Sequence, residues 1–281
     1  MAEIILLRPN TRGNSYQGLA DGVAAIEPPL FMALRATQLA YLNPEVIDAE
    51  VQRFNIDNLE DEHIEIFPTG NHPSAFIQQR EGLDRLKKDL EARGNSVLIW
   101  DKLPYFEICN TANWNLFPMD KYRAHNWHCW GGYNRSPYGV VASSYSCPYN
   151  CEFCCIKDYY GKYVEKPISS VVLDIKRLVC EFGVVNIKFI DELFFYKPER
   201  VKELCEKIIA EGLKLNIWAY ARVDTVNIDL LPLLKRAGVR WLCLGIESGN
   251  EEIRKETLKG NFTNSKIKEI VRAINDAGMF V

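Results

Sequence analysis

The sequence predicts an α/β protein in two parts. A small Rossmann-like three-layer domain occupies residues 1–110, and a partial TIM-like (β/α) barrel of about four units occupies 139–281, with an aromatic connector at 111–138. Three observations carry this. Short apolar runs alternate with helical stretches, the pattern of a mainly parallel sheet covered by helices. The βα rhythm becomes clear from Gly139 onward, and the stretch before it is irregular, aromatic and proline-containing. Finally, 47% hydrophobic residues in 281 suffice for a real core in one large domain or two modest ones.

In the first part, residues 4–7 read as a buried strand that ends at Arg8-Pro9-Asn10, and 29–42 as a helix rich in Leu, Ala and Met. Residues 64–67 read as a strand entering the turn 68–73. A helix follows over 76–93, with Phe76, Ile77, Leu83, Leu86 and Leu90 at helical spacing and Gly94 as its stop. Residues 96–100 make another strand. The connector, centred on 116–122, is too apolar for a flexible linker and is expected to pack between the two parts.

In the second part, strands are expected at 140–144, 185–190, 215–220 and 240–246, and helices at 169–182, 198–211, 230–237 and 264–277. Residues 279–281 start a fifth strand. Parallel βα units put chemistry at the carboxyl ends of the strands. Polar groups stand there: Asp191 and Glu192 after the second strand, Arg222 and Asp224 after the third, and Glu247-Ser248-Gly249 after the fourth.

The net charge of −3 offers nucleic acid no general electrostatic attraction, so no nucleic-acid partner is indicated. No run approaches the roughly 18 apolar residues of a membrane span, and the start lacks the basic residues of a secretory signal. A reducing cytoplasmic setting is expected.

Cys147, Cys151 and Cys154 stand at CxxxCxxC spacing on the segment after the first barrel strand. Three thiolates so placed can hold three corners of a cubane [4Fe-4S] cluster, leaving the fourth iron without a local protein ligand. Zinc is the second reading. It needs four ligands, and Cys155 adjoins the trio too closely to complete a tetrahedron comfortably. Nine cysteines spread along the chain do not make a disulfide scaffold. Cys180, Cys205 and Cys243 read as small buried hydrophobes. Cys129, beside His125 and His128, reads as part of the packed connector.

The cysteine loop, with the aromatic Phe153 before its third cysteine, resembles that of the radical S-adenosylmethionine (SAM) enzymes. The resemblance implies a barrel of that type whose open iron chelates the amino and carboxylate groups of SAM. Electron transfer then breaks a C–S bond, and the 5′-deoxyadenosyl radical abstracts hydrogen from a substrate. It implies that Asp191 or Glu192 contacts the methionyl ammonium, Arg222 its carboxylate side, and Glu247 with Ser248 the ribose or amino group, while Phe153 borders the adenine. An electron donor such as a flavodoxin or ferredoxin is implied as partner.

The run 245–249 followed by Lys259-Gly260 is similar to the cobalamin-associated branch, which includes methyltransferases. The first part resembles that branch's cobalamin-binding domain through Arg8-Pro9-Asn10, Pro28-Pro29-Leu30 and Gly70-Asn71-His72-Pro73. It departs in being shortened, and Asp61-Glu62-His63 is followed by Ile66 where a cobalt-ligating loop would carry glycine. His72 reads as a turn residue. Barrels of the family usually have six units, so the sequence implies either a truncated reading frame or a second chain that completes the barrel. Two other functions stay open: a non-catalytic or electron-transfer iron–sulfur subunit, and a zinc-binding interaction module.

Overall fold

The structure is a computed structural model. It describes residues 4–10, 22–68, 71, 74–100 and 111–281, except the side chains of 74–81. The chain divides into two compact units, one of residues 1–127 with 134–138, the other of 128–133 with 139–281.

In the first unit β1 (Ile5–Arg8), β2 (Glu45–Asp48), β3 (His63–Ile66) and β4 (Ser96–Ile99) form a parallel sheet in the order β2-β1-β3-β4. Alternation along the strands sorts their side chains onto two faces. Ile5, Leu7, Ile47, Ile64 and Ile66 share a core with Leu83 and Leu90 of the helix α2 (Ser74–Glu91). On the other face Glu65 is 1% exposed and accepts from Nε and Nη2 of Arg35, at 2.9 and 2.7 Å, from the helix α1 (Leu30–Gln38). Helices on both faces make the three layers.

The helix expected over 29–42 stops at Gln38 and continues as a 3-10 turn to Leu42, where Asn43 takes a left-handed φ of 50°. Strand β2 escaped the sequence reading. It has four residues, follows a proline and begins on the exposed Glu45. The expected connector is shared between the units. Its residues 111–127 belong to the first, where Trp114, Phe117, Met119, Tyr122 and Ala124 are buried. Tyr122 donates to Asp48 at 2.6 Å, and Asp48 also receives Arg8 at 2.8 and 2.6 Å.

The second unit holds β5 (Tyr138–Val141, from its second residue), β8 (Asn186–Phe189), β9 (Asn216–Arg222) and β10 (Val239–Gly245) in the sheet order β10-β9-β8-β5, with β8, β9 and β10 parallel. One face carries Ile187, Phe189, Ile217, Ala219 and Leu242, all buried. Helices α4 (Ile168–Phe182), α5 (Pro198–Ala210) and α6 (Leu231–Arg236) bury apolar stripes such as Val171, Ile175 and Leu178, or Val201, Leu204 and Ile208. Their 3.6-residue period gives each helix one apolar face. Cys180 was expected inside, but it lies five positions past Ile175, on the far side of α4, and is exposed. Cys205 is buried and Cys243 half-buried.

The opposite face of the sheet is polar and aromatic. Lys188, 5% exposed, lies 5.2 Å over the ring of Tyr220. Trp218 and Trp241 stack at 5.2 Å, and His128 bonds the Asn216 carbonyl at 3.1 Å. Phe280 extends the sheet by a parallel bridge to Trp241. Among the described residues no helix is long and apolar enough to cross a membrane.

Candidate iron–sulfur and nucleoside site

The first barrel strand ends at Val141, three residues earlier than expected, because Ser143 and Ser144 turn to a different partner. The backbone N–H of Ser143 (2.8 Å) and the hydroxyls of Ser143 (2.5 Å) and Ser144 (2.8 Å) all donate to Asp191, which is 1% exposed. Burial pushes the Asp191 carboxyl up, and these hydrogen bonds oppose the push. Asp191 therefore ties the end of β5 to the end of β8 and lies inside, away from the rim where the ammonium contact was expected. The short strands β6 (Ser144–Tyr145) and β7 (Val164–Glu165) then pair antiparallel and bracket the cysteine loop with the helix α3 (Ile156–Tyr160).

Within that loop Cys154 N–H donates to the Cys151 carbonyl at 3.1 Å, a tight turn that puts Phe153 at its corner with 53% of its surface exposed. Cys147 and Cys151 are half-buried and Cys154 exposed. Burial raises the Cys147 and Cys154 thiols, and the charges of the neighbouring cysteines and of Glu192 add to that. These two thiols thus feel the charge of Glu192 and of the neighbouring cysteines, a field that disfavours their ionisation. A cationic group would relieve it. Among the described residues no three His, Cys, Asp or Glu side chains are gathered for a single metal ion. One zinc would draw its sulfurs to about 2.3 Å from itself, whereas a cubane carries each thiolate on its own iron. The donor set fits the cluster: three thiols on one loop, one open corner and a carboxylate beside it.

Arg222, 5% exposed at the end of β9, was expected to face the cosubstrate carboxylate. Its Nε and Nη2 fork onto Asp224 at 2.9 and 2.8 Å, and Nη2 also donates to the Lys259 carbonyl. The guanidinium lies 3.8 Å over the Tyr149 ring, with Nη1 3.4 Å from Cys151 Sγ. Four of the five N–H donors of an arginine are thus engaged by the protein. Burial would lower its pKa, but the Asp224 bond and charge overcome that and raise it.

Glu247 sits at a left-handed φ of 66°, unusual for a residue with a side chain. Its carboxylate lies 3.2 Å from Lys259 Nζ. A Cβ at Gly245 would meet that ammonium at 2.7 Å, so glycine leaves it room to approach. Ser248 Oγ accepts from Asn250 N–H at 3.1 Å, and its carbonyl takes Arg254 Nη1 at 2.6 Å. Arg254, wholly buried, also donates to the Phe262 carbonyl and Asn264 Oδ1, pinning the 247–249 turn ahead of the helix α7 (Glu251–Glu256). Sequence reasoning passed over Tyr149, Ser143, Ser144 and Arg254. Nothing local marks them, since each acts on a residue distant in sequence or on backbone.

In the first unit His63 opens β3, at the amino end of the strand, 3.3 Å from Ser96 Oγ. His125 Nδ1 accepts from Ala25 N–H at 3.0 Å and stacks on Trp127. The carboxyl edge of the sheet, where doubly wound folds bind ligands, has a cavity of 590 Å³ lined by Asn10, Gln52, Arg53, Phe54, Asn55 and Asn58 among others. None of these is a histidine. His72 lies outside the described residues.

These strand-end carboxylates around a three-cysteine loop, on a parallel sheet covered by helices, define a class of iron–sulfur enzymes built on an α/β barrel. Residues 141–281 match the radical SAM superfamily, and the chain belongs to it. It is 32% identical over 149 residues to an uncharacterized methyltransferase of Pyrococcus horikoshii, covering 53% of this chain and 30% of that protein. It is 28% identical over 165 residues to an anaerobic magnesium-protoporphyrin IX monomethyl ester cyclase of Synechocystis, covering 58% and 31%. The chain thus spans about a third of the length of these relatives. Its fold is like that of the radical SAM methyltransferase TsrM from Kitasatospora setae, with a TM-score of 0.69 at 14% identity over 99% of this chain and 66% of that one. The cobalamin-dependent SAM radical enzyme OxsB gives a TM-score of 0.65 at 15% identity, over 99% and 48%.

Proposed function

We propose that the chain is the cluster-bearing part of a radical SAM enzyme that cleaves SAM reductively and modifies a substrate C–H position, with cobalamin-dependent methyl transfer as the form of the reaction. The observation that carries this is the CxxxCxxC loop of Cys147, Cys151 and Cys154 after the first barrel strand, with Glu192 acting on two of its thiols and Arg222 Nη1 3.4 Å from Cys151 Sγ. When bound, a [4Fe-4S] cluster supplies the electron that breaks the C–S bond of SAM and frees a carbon radical. The three cysteines would hold three of its irons. Glu192 would take the methionyl ammonium. Glu247 with Ser248 would take the ribose or amino group, and the exposed Phe153 would border the adenine. Arg222, committed to Asp224 and Lys259, would place its charge beside Cys151. Such a site works in a reducing cytoplasm with a one-electron donor such as a flavodoxin or ferredoxin.

The test is anaerobic reconstitution with iron and sulfide, followed by dithionite and SAM. Release of 5′-deoxyadenosine, abolished with the cluster absorbance in C147A/C151A/C154A, is expected. A cluster without 5′-deoxyadenosine would make the chain an electron-transfer subunit, and tightly held zinc without iron would make it a zinc module. For cobalamin, no histidine lines the cavity described at the carboxyl edge of the first sheet. The cob(II)alamin EPR spectrum of the loaded chain should therefore lack the nitrogen splitting of a histidine ligand; a splitting removed by H72A would place the ligand there.

A further inference from the structure

We propose that Arg222 sets the reduction potential of the cluster by donating a hydrogen bond to the sulfur of Cys151. The inference rests on the cluster reading of the three cysteines and deepens it. Nη1 of Arg222 stands 3.4 Å from Cys151 Sγ. The guanidinium cannot turn away from that sulfur without losing contacts on its other sides. Its second edge is forked on Asp224, Nη2 also reaches the Lys259 carbonyl, and its face lies on Tyr149 of the same cysteine loop.

A surface ion pair would look different. Arg222 is 5% exposed, and a charge so placed is poorly screened by solvent. Hydrogen bonds to cluster sulfurs and nearby charge are levers on cluster potential, because reduction adds negative charge that a donor stabilises. Asp224 has the opposite effect: it compensates part of the guanidinium charge and holds the donor in place. The pair is therefore a fixed donor with a set strength, built by the ends of β9 and the 257–260 segment. The cosubstrate is not needed to orient it.

EPR-monitored redox titration of the anaerobically reconstituted chain tests this, without reference to turnover. In R222M the ratio of reduced to oxidised cluster at a given potential should fall about tenfold, a shift of about 59 mV downward for a one-electron couple. In D224N the potential should move upward, because the guanidinium loses its compensating carboxylate. Wild-type potentials in both variants overturn the inference while leaving the cluster reading intact. If R222M takes up no iron, D224N decides alone: an upward shift supports the inference and an unmoved potential overturns it. Failure of the wild-type chain to take up a cluster overturns the reading and the inference together.

Discussion

Both units carry a four-stranded sheet, yet they use their buried charge differently. In the first, Arg8, Asp48 and Tyr122 close on one another, as do Arg35, Glu65 and Trp100, and these groups fasten α1 and residues 111–127 to the sheet. In the second, Asp191 does the same work for β5, but Arg222 turns one edge toward a cysteine, and Glu192 acts on two thiols. A charge locked in a pair contributes to fold. A charge whose field falls on a group able to bind metal can contribute to chemistry as well.

Removing one partner of the Arg8–Asp48 pair should have the largest effect on stability. Asp48 is fully buried and accepts from Arg8, Tyr122 and the Glu50 backbone. D48A strands the Arg8 guanidinium without its carboxylate, and breaking a buried pair costs about 3–5 kcal/mol. Denaturant unfolding should read that loss, while iron uptake by the folded fraction stays at the wild-type level. A D48A chain that is equally stable would mean that the network is ornamental and the contrast between the units unfounded.

Asp191 and Glu192 sharpen the contrast within three ångströms of chain, the rise of about one strand residue. D191A removes a carboxylate that takes three donors, and the loss should be about 1.5–3 kcal/mol, the scale of hydrogen bonds to a charged group. E192Q, which keeps the shape of the half-buried side chain, should cost less stability than D191A and weaken SAM binding to the reconstituted chain about tenfold or more, read by isothermal titration. The reverse assignment, with E192Q unfolding the chain and D191A only loosening SAM, would return Asp191 to the rim.

That pair also marks how far the sequence could be read. The spacing of Cys147, Cys151 and Cys154 is a local chemical pattern and needs no fold to be seen. The second strand of the barrel and the acidic residues at its end were legible too, because period and chain order are local. Which of two adjacent carboxylates faces inward was not, since it depends on Ser143 and Ser144 arriving from another strand. The contacts of Arg222 were not legible for the same reason: Asp224 is a neighbour, but Tyr149, Cys151 and Lys259 reach it only through the fold. The four-residue β2, with one exposed end, carried too little pattern to register.

The smallest effect expected is at Glu247, where stability and function should move in opposite directions. A side chain held at φ 66° costs roughly 1–2 kcal/mol in backbone strain; glycine relieves that strain but loses part of the gain to the greater freedom of its unfolded chain. E247G should therefore stabilise the protein by about 0.5–1 kcal/mol, while E247A, which keeps the strain, should not. The lost contact with Lys259 changes this little, because the Glu247 carboxylate is 46% exposed and such pairs contribute about 0–1 kcal/mol. Both variants lack the carboxylate and should weaken SAM binding alike. If E247G melts no higher than E247A, the left-handed turn is not strained; if both bind SAM as the wild type does, the strain serves the turn alone and Glu247 has no part in the site.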